Sequence, residues 1–498
     1  MRSRKYIIHR LIFLALIVAG FLAFRVDHKT SADARKLDSS DKPTINQIVW
    51  ETCSTGLQRL NAKCGKLEVF EDRAAKTGRQ INLNLVVIPA ADSHRQPDPI
   101  FFFSGGPGQG AVGGASLGPR LTVDRDQVFI DQRGTGLSNP LNCPEFDDAR
   151  DLSSFFGELF PLVKMRQCRE EVEKRANPIF YTTSIAMEDI DDVRAALGYD
   201  KINLYGTSYG TQAAQVYLRQ YPQHVRTAVL AGVAPLFTKL PLQFARGAQE
   251  VLNNLINDCD ADADCHKAFP NLRTEFTTLL ARFDKGPIRF EMTNPYTQNK
   301  ETVTMIRGNF VTRLLSMIYT PGTAARIPFL IHKAFEGDLG PFALFAIRNN
   351  AGTSVSRGMY FTVTCSEAAP FITEKDIEEE TKGTFLGDYR TRSHVAGCKE
   401  WPSAKVSSDF IEPVKTDVPV LMLSGLEDPA TPYWLGKKAV QYMPNGRQIL
   451  FKKTGHGFGD PCIQGIATEF IQKGSAKDLN VACADQIKRR PFMITPIQ

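Results

Sequence analysis

Ser208 is the central residue of Gly206-Thr207-Ser208-Tyr209-Gly210, which follows the apolar run Lys201–Tyr205 and precedes a helix-like stretch, Thr211–Tyr221. A strand-to-helix turn with small residues two before and two after a serine lifts its hydroxyl clear of the backbone, above a helix N-terminus that favours developing negative charge. A serine hydroxyl is a poor nucleophile until a base takes its proton and a third group orients that base. Behind such a turn the partners follow in the order acid, then histidine. Val418–Gly425 reads as a buried strand, and the loop Leu426–Pro432 beyond it offers Asp428 as the acid, with Glu427 as the fallback. A second strand, Gln448–Lys452, leads into Thr454-Gly455-His456-Gly457 and offers His456 as the base. His266 sits among Asp262, Asp264 and Cys265, while His332 and His394 fall in a segment expected to form a lid; all three are weaker choices.

Acyl transfer also needs donors aimed at the oxyanion of the tetrahedral intermediate. The strand Pro99–Phe103 opens into Ser104-Gly105-Gly106-Pro107-Gly108-Gln109-Gly110. Glycines allow such a loop to approach a substrate closely. The expected donors are the N–H of Gly106 and the N–H of Tyr209. The same glycines could cradle a phosphate, but the loop lacks both a Lys-Ser/Thr ending and the spacing of a dinucleotide site. No metal ligand set and no organic cofactor is indicated.

Four stretches, in order along the chain, carry a resemblance: Gly105-Gly106-Pro107-Gly108; Asp131-Gln132-Arg133-Gly134-Thr135-Gly136; the Gly206–Gly210 turn; and Gly425–Pro432 with Gly455-His456-Gly457. Together they resemble an α/β-hydrolase of the prolyl aminopeptidase and tripeptidyl aminopeptidase group of serine exopeptidases. The tail Val418–Cys483 is similar to the C-terminal segment of the tripeptidyl branch. Ser104 and Tyr209 stand where many prolyl aminopeptidases have histidine and tryptophan, so strict proline specificity is not carried over. The resemblance implies peptide substrates with a free N-terminus, whose ammonium is held by carboxylates of a cap. No cap motif matches residue by residue; Glu367 is the tentative choice, because a disulfide would hold it near the junction of cap and core. Asp131 and Arg133 are expected to order the loop beside the oxyanion glycines.

Composition is that of an ordinary globular protein, 43% hydrophobic and 23% charged. A net charge of +6 over 498 residues, with dispersed basic residues, gives nucleic-acid binding no support. Arg2, Arg4, Lys5 and Arg10 precede the apolar run Leu11–Phe24, which is shorter than the roughly 20 residues of a spanning helix. This reads as a signal peptide over residues 1–34, with Ala32-Asp33-Ala34 as the cleavage site. An uncleaved membrane anchor is the alternative, and export to the periplasm or medium is expected either way. Residues 31–43 read as a flexible lead-in. Ten cysteines fall into five sequence-local pairs, expected as disulfides 53–64, 143–168, 259–265, 365–398 and 462–483.

Strand-like segments at Lys66–Phe70, Ile81–Ile88, Ile100–Phe103, Val128–Asp131, Ile202–Tyr205 and Thr227–Leu230 alternate with helical patterns, best at Ile185–Leu197. This predicts an α/β fold: a mostly parallel sheet with helices on both faces and catalytic groups at the strands' carboxyl ends. From about Gln243 to Trp401 the pattern turns mainly helical, with few strand signals, and predicts an inserted cap. The expected division is core over 35–235, cap over 236–405 and core again over 406–498. The run Glu378–Glu380 reads as a solvated helix face. The expected activity is release of N-terminal residues or short peptides through an acyl-enzyme on Ser208. A carboxylic-ester or amide hydrolase with the same residues is the alternative. Sequence leaves the number of residues released, the side-chain preference and the oligomeric state open.

Overall fold

The computed structural model describes residues 47–115, 121–146, 150–350 and 355–495. The apolar segment Leu11–Phe24 and the lead-in at 31–43 lie outside them. No helix among the described residues is long and apolar enough to cross a membrane.

Nine strands form one sheet in the order β1-β2-β3-β5-β4-β6-β7-β10-β11. They are β1 (Val49–Glu51), β2 (Lys63–Phe70), β3 (Gln80–Ile88), β4 (Ile100–Phe103), β5 (Gln127–Ile130), β6 (Ile202–Thr207), β7 (Val225–Ala231), β10 (Val420–Gly425) and β11 (Gly446–Phe451). The first three are antiparallel, β3 pairs antiparallel with β5, and β5 through β11 run parallel. The strands β5, β7 and β10 are buried throughout or nearly so and mainly apolar, as strands covered on both faces are. Two apolar clusters lie on the two faces: Phe101, Phe103, Leu204 and Tyr217 belong to one, Leu421, Leu423, Phe451 and Phe470 to the other.

Three helices matter most around the sheet: α1 (Leu162–Glu173), α2 (Thr183–Ala196) and α3 (Tyr209–Gln220). The Thr182 hydroxyl accepts from the Ile185 N–H and caps α2, whose Ala186, Met187, Ile190 and Val193 face the core.

Between β7 and β10 the chain adds no strand to this sheet. It forms α4 (Phe244–Ala261), α5 (Leu272–Asp284), the hairpin β8–β9 (Ile288–Thr293 and Lys300–Met305), α6 (Arg307–Met317), α7 (Ile327–Glu336), α8 (Gly340–Asn350), α9 (Arg357–Glu367), α10 (Glu374–Thr381) and α11 (Tyr389–Cys398). This segment, called the cap below, contributes most of a third apolar cluster around Phe276, Phe310, Leu314 and Phe342. A short helical turn, Pro321–Ala324, precedes α7, which begins at Ile327. Pro328, with no N–H to lose, fits that start, and Gly337 closes the helix in the left-handed conformation. A final helix, α12 (Pro461–Lys473), covers the sheet beside β10.

All ten cysteines are joined, in the five sequence-local pairs expected. Five disulfides fit an exported protein in an oxidising compartment.

Candidate active site

Ser208 stands at the break between β6 and α3 with φ 57° and ψ −125°, a strained backbone for a residue with a Cβ. The turn is possible because its flanks are small. A Cβ on Gly206 would lie 2.4 Å from the Gly210 carbonyl oxygen, and one on Gly210 would lie 2.1 Å from that of Phe103. The Ser208 N–H donates to the Ala231 carbonyl at 2.9 Å, and its own carbonyl accepts from the Thr211 N–H and hydroxyl.

The loops after β10 and β11 bring Asp428 and His456 together. Asp428 is 2% exposed, and its Oδ2 lies 2.8 Å from His456 Nδ1. Its Oδ1 accepts from the N–H groups of Ala430 and Thr431, each at 2.9 Å, and Oδ2 also accepts from the Thr431 hydroxyl at 2.7 Å. Burial pushes this carboxyl up, but His456 and the Thr431 donors outweigh it and hold Asp428 below its ordinary value. Thr431 Oγ1 also lies 3.1 Å from His456 Nδ1. Sequence reasoning missed this residue, three past the acid, although a threonine in a turn can bond back to an acid at that spacing.

His456 is fixed at its backbone too: its N–H donates to the Tyr319 carbonyl at 2.5 Å, and the Tyr319 ring meets the imidazole edge-on at 5.3 Å. A Cβ on Gly232 would lie 3.2 Å from His456 Cε1. Ala231 holds the Ser208 N–H and Gly232 faces the imidazole, so Ser208 and His456 flank one short stretch of chain. The two side chains are not hydrogen-bonded to each other in this structure.

The fallback acid Glu427 points elsewhere, to Arg489 at 2.5 Å and Lys453 at 3.4 Å. The rival histidines are also accounted for. His266 is exposed near Asp260, His332 contacts Glu275, and His394 is buried among Phe160, Tyr360 and Phe361.

The glycine loop after β4 lies against the serine: a Cβ on Gly105 would be 3.1 Å from Ser208 Cβ. Gly106 has φ 108°, a value glycine accepts readily. Among the described residues, neither the Gly106 nor the Tyr209 N–H donates to a backbone carbonyl, so both donors remain available. The loop is braced from below. Asp131 accepts from Asn84 Nδ2 and from the N–H groups of Val112 and Leu137. Arg133, wholly buried, binds Asp189 through two nitrogens at 2.6 and 2.8 Å and donates to the carbonyls of Glu71 and Phe180. Asp131 thus lies against the glycine loop as expected, whereas Arg133 instead ties its own segment to α2 and to the chain at residues 70, 71 and 180.

Glu367 does not present an open carboxylate. It is 7% exposed, and its two oxygens accept from the N–H and hydroxyl of Thr183 at 2.6 and 2.7 Å. The Thr183 oxygen is left to accept from the Tyr209 hydroxyl at 2.7 Å. Burial raises the Glu367 carboxyl to about 7. The acidic run on α10 also differs from expectation. Glu378 and Glu379 are exposed, but Glu380 is half-buried, and its Oε2 has no hydrogen-bond partner.

Cys365, His394 and Cys398 are close enough to suggest a metal cluster. Both sulfurs belong to one disulfide, which leaves a single imidazole and no chelate. Two surface cavities of about 600 and 560 Å³ are not lined by Ser208, Asp428 or His456; one lies between α2, α3 and residues 403–410, the other beside Asp131 and Gly108.

Comparison with known proteins agrees with this architecture. The model of the alpha/beta hydrolase fold matches residues 98–321, and that of the TAP-like proteins matches residues 383–483. Serine protease Hip1 of Mycobacterium tuberculosis is 25% identical over 493 residues, spanning 89% of this chain and 92% of Hip1. Tripeptidyl aminopeptidase of Streptomyces coelicolor is 25% identical over 490 residues, spanning 89% and 87%. Proline iminopeptidase of Neisseria gonorrhoeae is 29% identical over 135 residues, 27% of this chain and 32% of that protein. The chain thus has the α/β-hydrolase fold and is similar to serine peptidases and aminopeptidases built on it. Fold and relatives together support a serine hydrolase of the peptidase type.

Proposed function

We propose that this α/β-hydrolase is an exported exopeptidase that releases N-terminal residues or short peptides through an acyl-enzyme on Ser208. The observation that carries the reading is the Asp428–His456 pair, 2.8 Å apart, on the far side of Ala231–Gly232 from a serine held at φ 57°. Asp428, accepting at His456 Nδ1, sets the tautomer that leaves Nε2 free to take the Ser208 proton. The serine oxygen then bonds to the substrate carbonyl carbon, and the charge on the carbonyl oxygen falls to the N–H groups of Gly106 and Tyr209. The proton on Nε2 passes to the leaving amine as the C–N bond breaks. Water, deprotonated by the same nitrogen, releases the acyl group and restores the serine. The Ser208–His456 hydrogen bond has to form in the complex, and such bonds commonly tighten only when substrate is bound.

An exopeptidase must also hold the substrate's ammonium on an acid. Glu367 has both oxygens engaged, whereas Glu380 retains a buried oxygen with no partner, so of these two acids only Glu380 has an oxygen to offer an ammonium. The reading is tested with a panel of peptides and aminoacyl-arylamides, free and N-acetylated, with products identified by mass spectrometry. Free-amine substrates should be cleaved and acetylated ones refused. Equal cleavage of both would transfer the protein to the ester and amide hydrolases, and fluorophosphonate labelling that persists in Ser208→Ala would remove the serine mechanism altogether.

A further inference from the structure

The cap holds a cation with no counter-ion among the described residues. Arg390, on α11, makes no hydrogen bond or ion pair with any described residue, and its Nε is buried without an acceptor. Its charged neighbours on the same helix are already matched, with Arg392 bound to Asp388 and Glu374. The Arg390 guanidinium lies over the Phe244 ring, 5.1 Å from its centroid. A cation–π contact offsets only part of what a guanidinium loses on leaving water.

A chain of contacts leads from this group toward the catalytic side chains. Phe244 begins α4, and one turn later a Cβ on Gly247 would lie 2.6 Å from the carbonyl oxygen of Pro429, the residue after Asp428. From the other side, Tyr319 binds the His456 backbone and packs on its ring. Burial pushes the Tyr319 hydroxyl up to about 12, with Arg390 opposing the rise and Asp428 and Tyr360 adding to it. Tyr360 packs on His394, one turn along α11 from Arg390, so the phenol and the guanidinium lie on neighbouring parts of the cap.

The polar groups around it are unmatched as well. The Tyr360 hydroxyl, on a residue 8% exposed, has no partner. Gln243, next to Phe244 and 5% exposed, has none at either amide atom. A guanidinium fork, a phenol and an amide N–H make a donor-rich set, which suits a planar carboxylate taken by two parallel hydrogen bonds. Position selects the end of the substrate. His456 hands its proton to the departing amine, so groups beyond its ring meet the leaving fragment and not the acyl part.

We propose that Arg390, supported by Tyr360 and Gln243, forms a carboxylate subsite on the leaving-group side, which selects peptides with an anionic group just beyond the cleaved bond. The inference rests on Ser208 and His456 acting as described above. The carboxylate is either the C-terminus of a short leaving fragment or an acidic side chain; the chemistry is the same, and the test separates the sources.

The full chain is assayed on alanine peptides of three to six residues in three forms: free acid, C-terminal amide, and amide with aspartate as the last residue. In the wild type, kcat/KM for a carboxylate-bearing form should exceed that for the plain amide by about tenfold or more. Preference for the free acid names the terminus as the source, and preference for the aspartyl amide names the side chain. In Arg390→Gln the ratio should fall to near one, and in Arg390→Lys to an intermediate value. A ratio taken within one preparation is insensitive to any unfolded fraction. A wild-type ratio near one, or a ratio that Arg390→Gln leaves unchanged, overturns the proposal. Should no peptide be cleaved in a Ser208-dependent way, the proposed function fails first. Calorimetric binding of dialanine to the wild type and to Arg390→Gln then judges the subsite alone, and equal affinity would refute it.

Discussion

Buried polar groups are treated differently at the sheet's carboxyl edge and on the inner wall of the cap. At the sheet edge, Asp131, Arg133 and Asp428 each hold several fixed partners, and the Asp428 carboxylate accepts four contacts from three residues. On the cap wall, Gln243, Tyr360, Glu380 and Arg390 each carry at least one buried polar atom without any. The first arrangement suits chemistry, since donors and charges fixed in advance cost no reorganisation when charge develops. The second suits binding, since a group that is already satisfied has nothing to offer a ligand.

The contrast can be broken at several points. Ser208→Ala should lower kcat/KM by at least about 10⁴-fold and abolish fluorophosphonate labelling while the fold persists. A variant of Asp428 should act almost as strongly: Asp428→Asn leaves the shape but favours the wrong imidazole tautomer, lowering kcat by about 10⁴-fold with little change in KM. Arg133→Met tests the sheet-edge side as a matter of stability. It strands Asp189 with only the partly exposed Arg73, and chemical denaturation should show a loss of about 3–5 kcal/mol.

A smaller, pH-dependent effect belongs to Glu367. Its carboxyl is raised in the folded state to about 7, so folding favours the protonated form. The stability this supplies is complete below the ordinary carboxyl range near 4.5 and is lost as pH rises through about 7. Glu367→Gln, which cannot ionise, should gain on the wild type over that interval by on the order of 3 kcal/mol. Denaturant midpoints taken from pH 4 to 8.5 measure it; parallel curves for the two proteins would contradict the assignment. Glu380→Gln should raise KM for free-amine substrates about tenfold or more and leave kcat within a few-fold.

What the sequence made legible follows the same divide. Strand-end positions are local facts: an apolar run, then glycines, then a serine or histidine. The fold, the strands and the place of Ser208, Asp428 and His456 at strand ends could therefore be read before any coordinates. Each cysteine has its partner nearby in sequence, which made the five bridges legible too. The cap wall could not be read. Gln243, Tyr360 and Arg390 come from three helical segments that meet only through packing, and no spacing in the chain records that meeting. Glu380 was misread because its two neighbours are solvated, while it lies beside the face of α10 that Ile377 and Thr381 bury. Glu367 was placed correctly at the junction, but an acid beside a helix start finds backbone donors more readily than an open cleft, and Thr183 supplies them.

Arg489 deserves a last word because of where its two acids sit. It grips Asp258, near the end of α4 in the cap, and Glu427, whose chain neighbour is Asp428; Lys453, three residues before His456, holds the same two carboxylates. The far end of α4 is thus riveted to the very loops that carry the acid and the base. Any gate that admits substrate by lifting the cap has to hinge around that rivet.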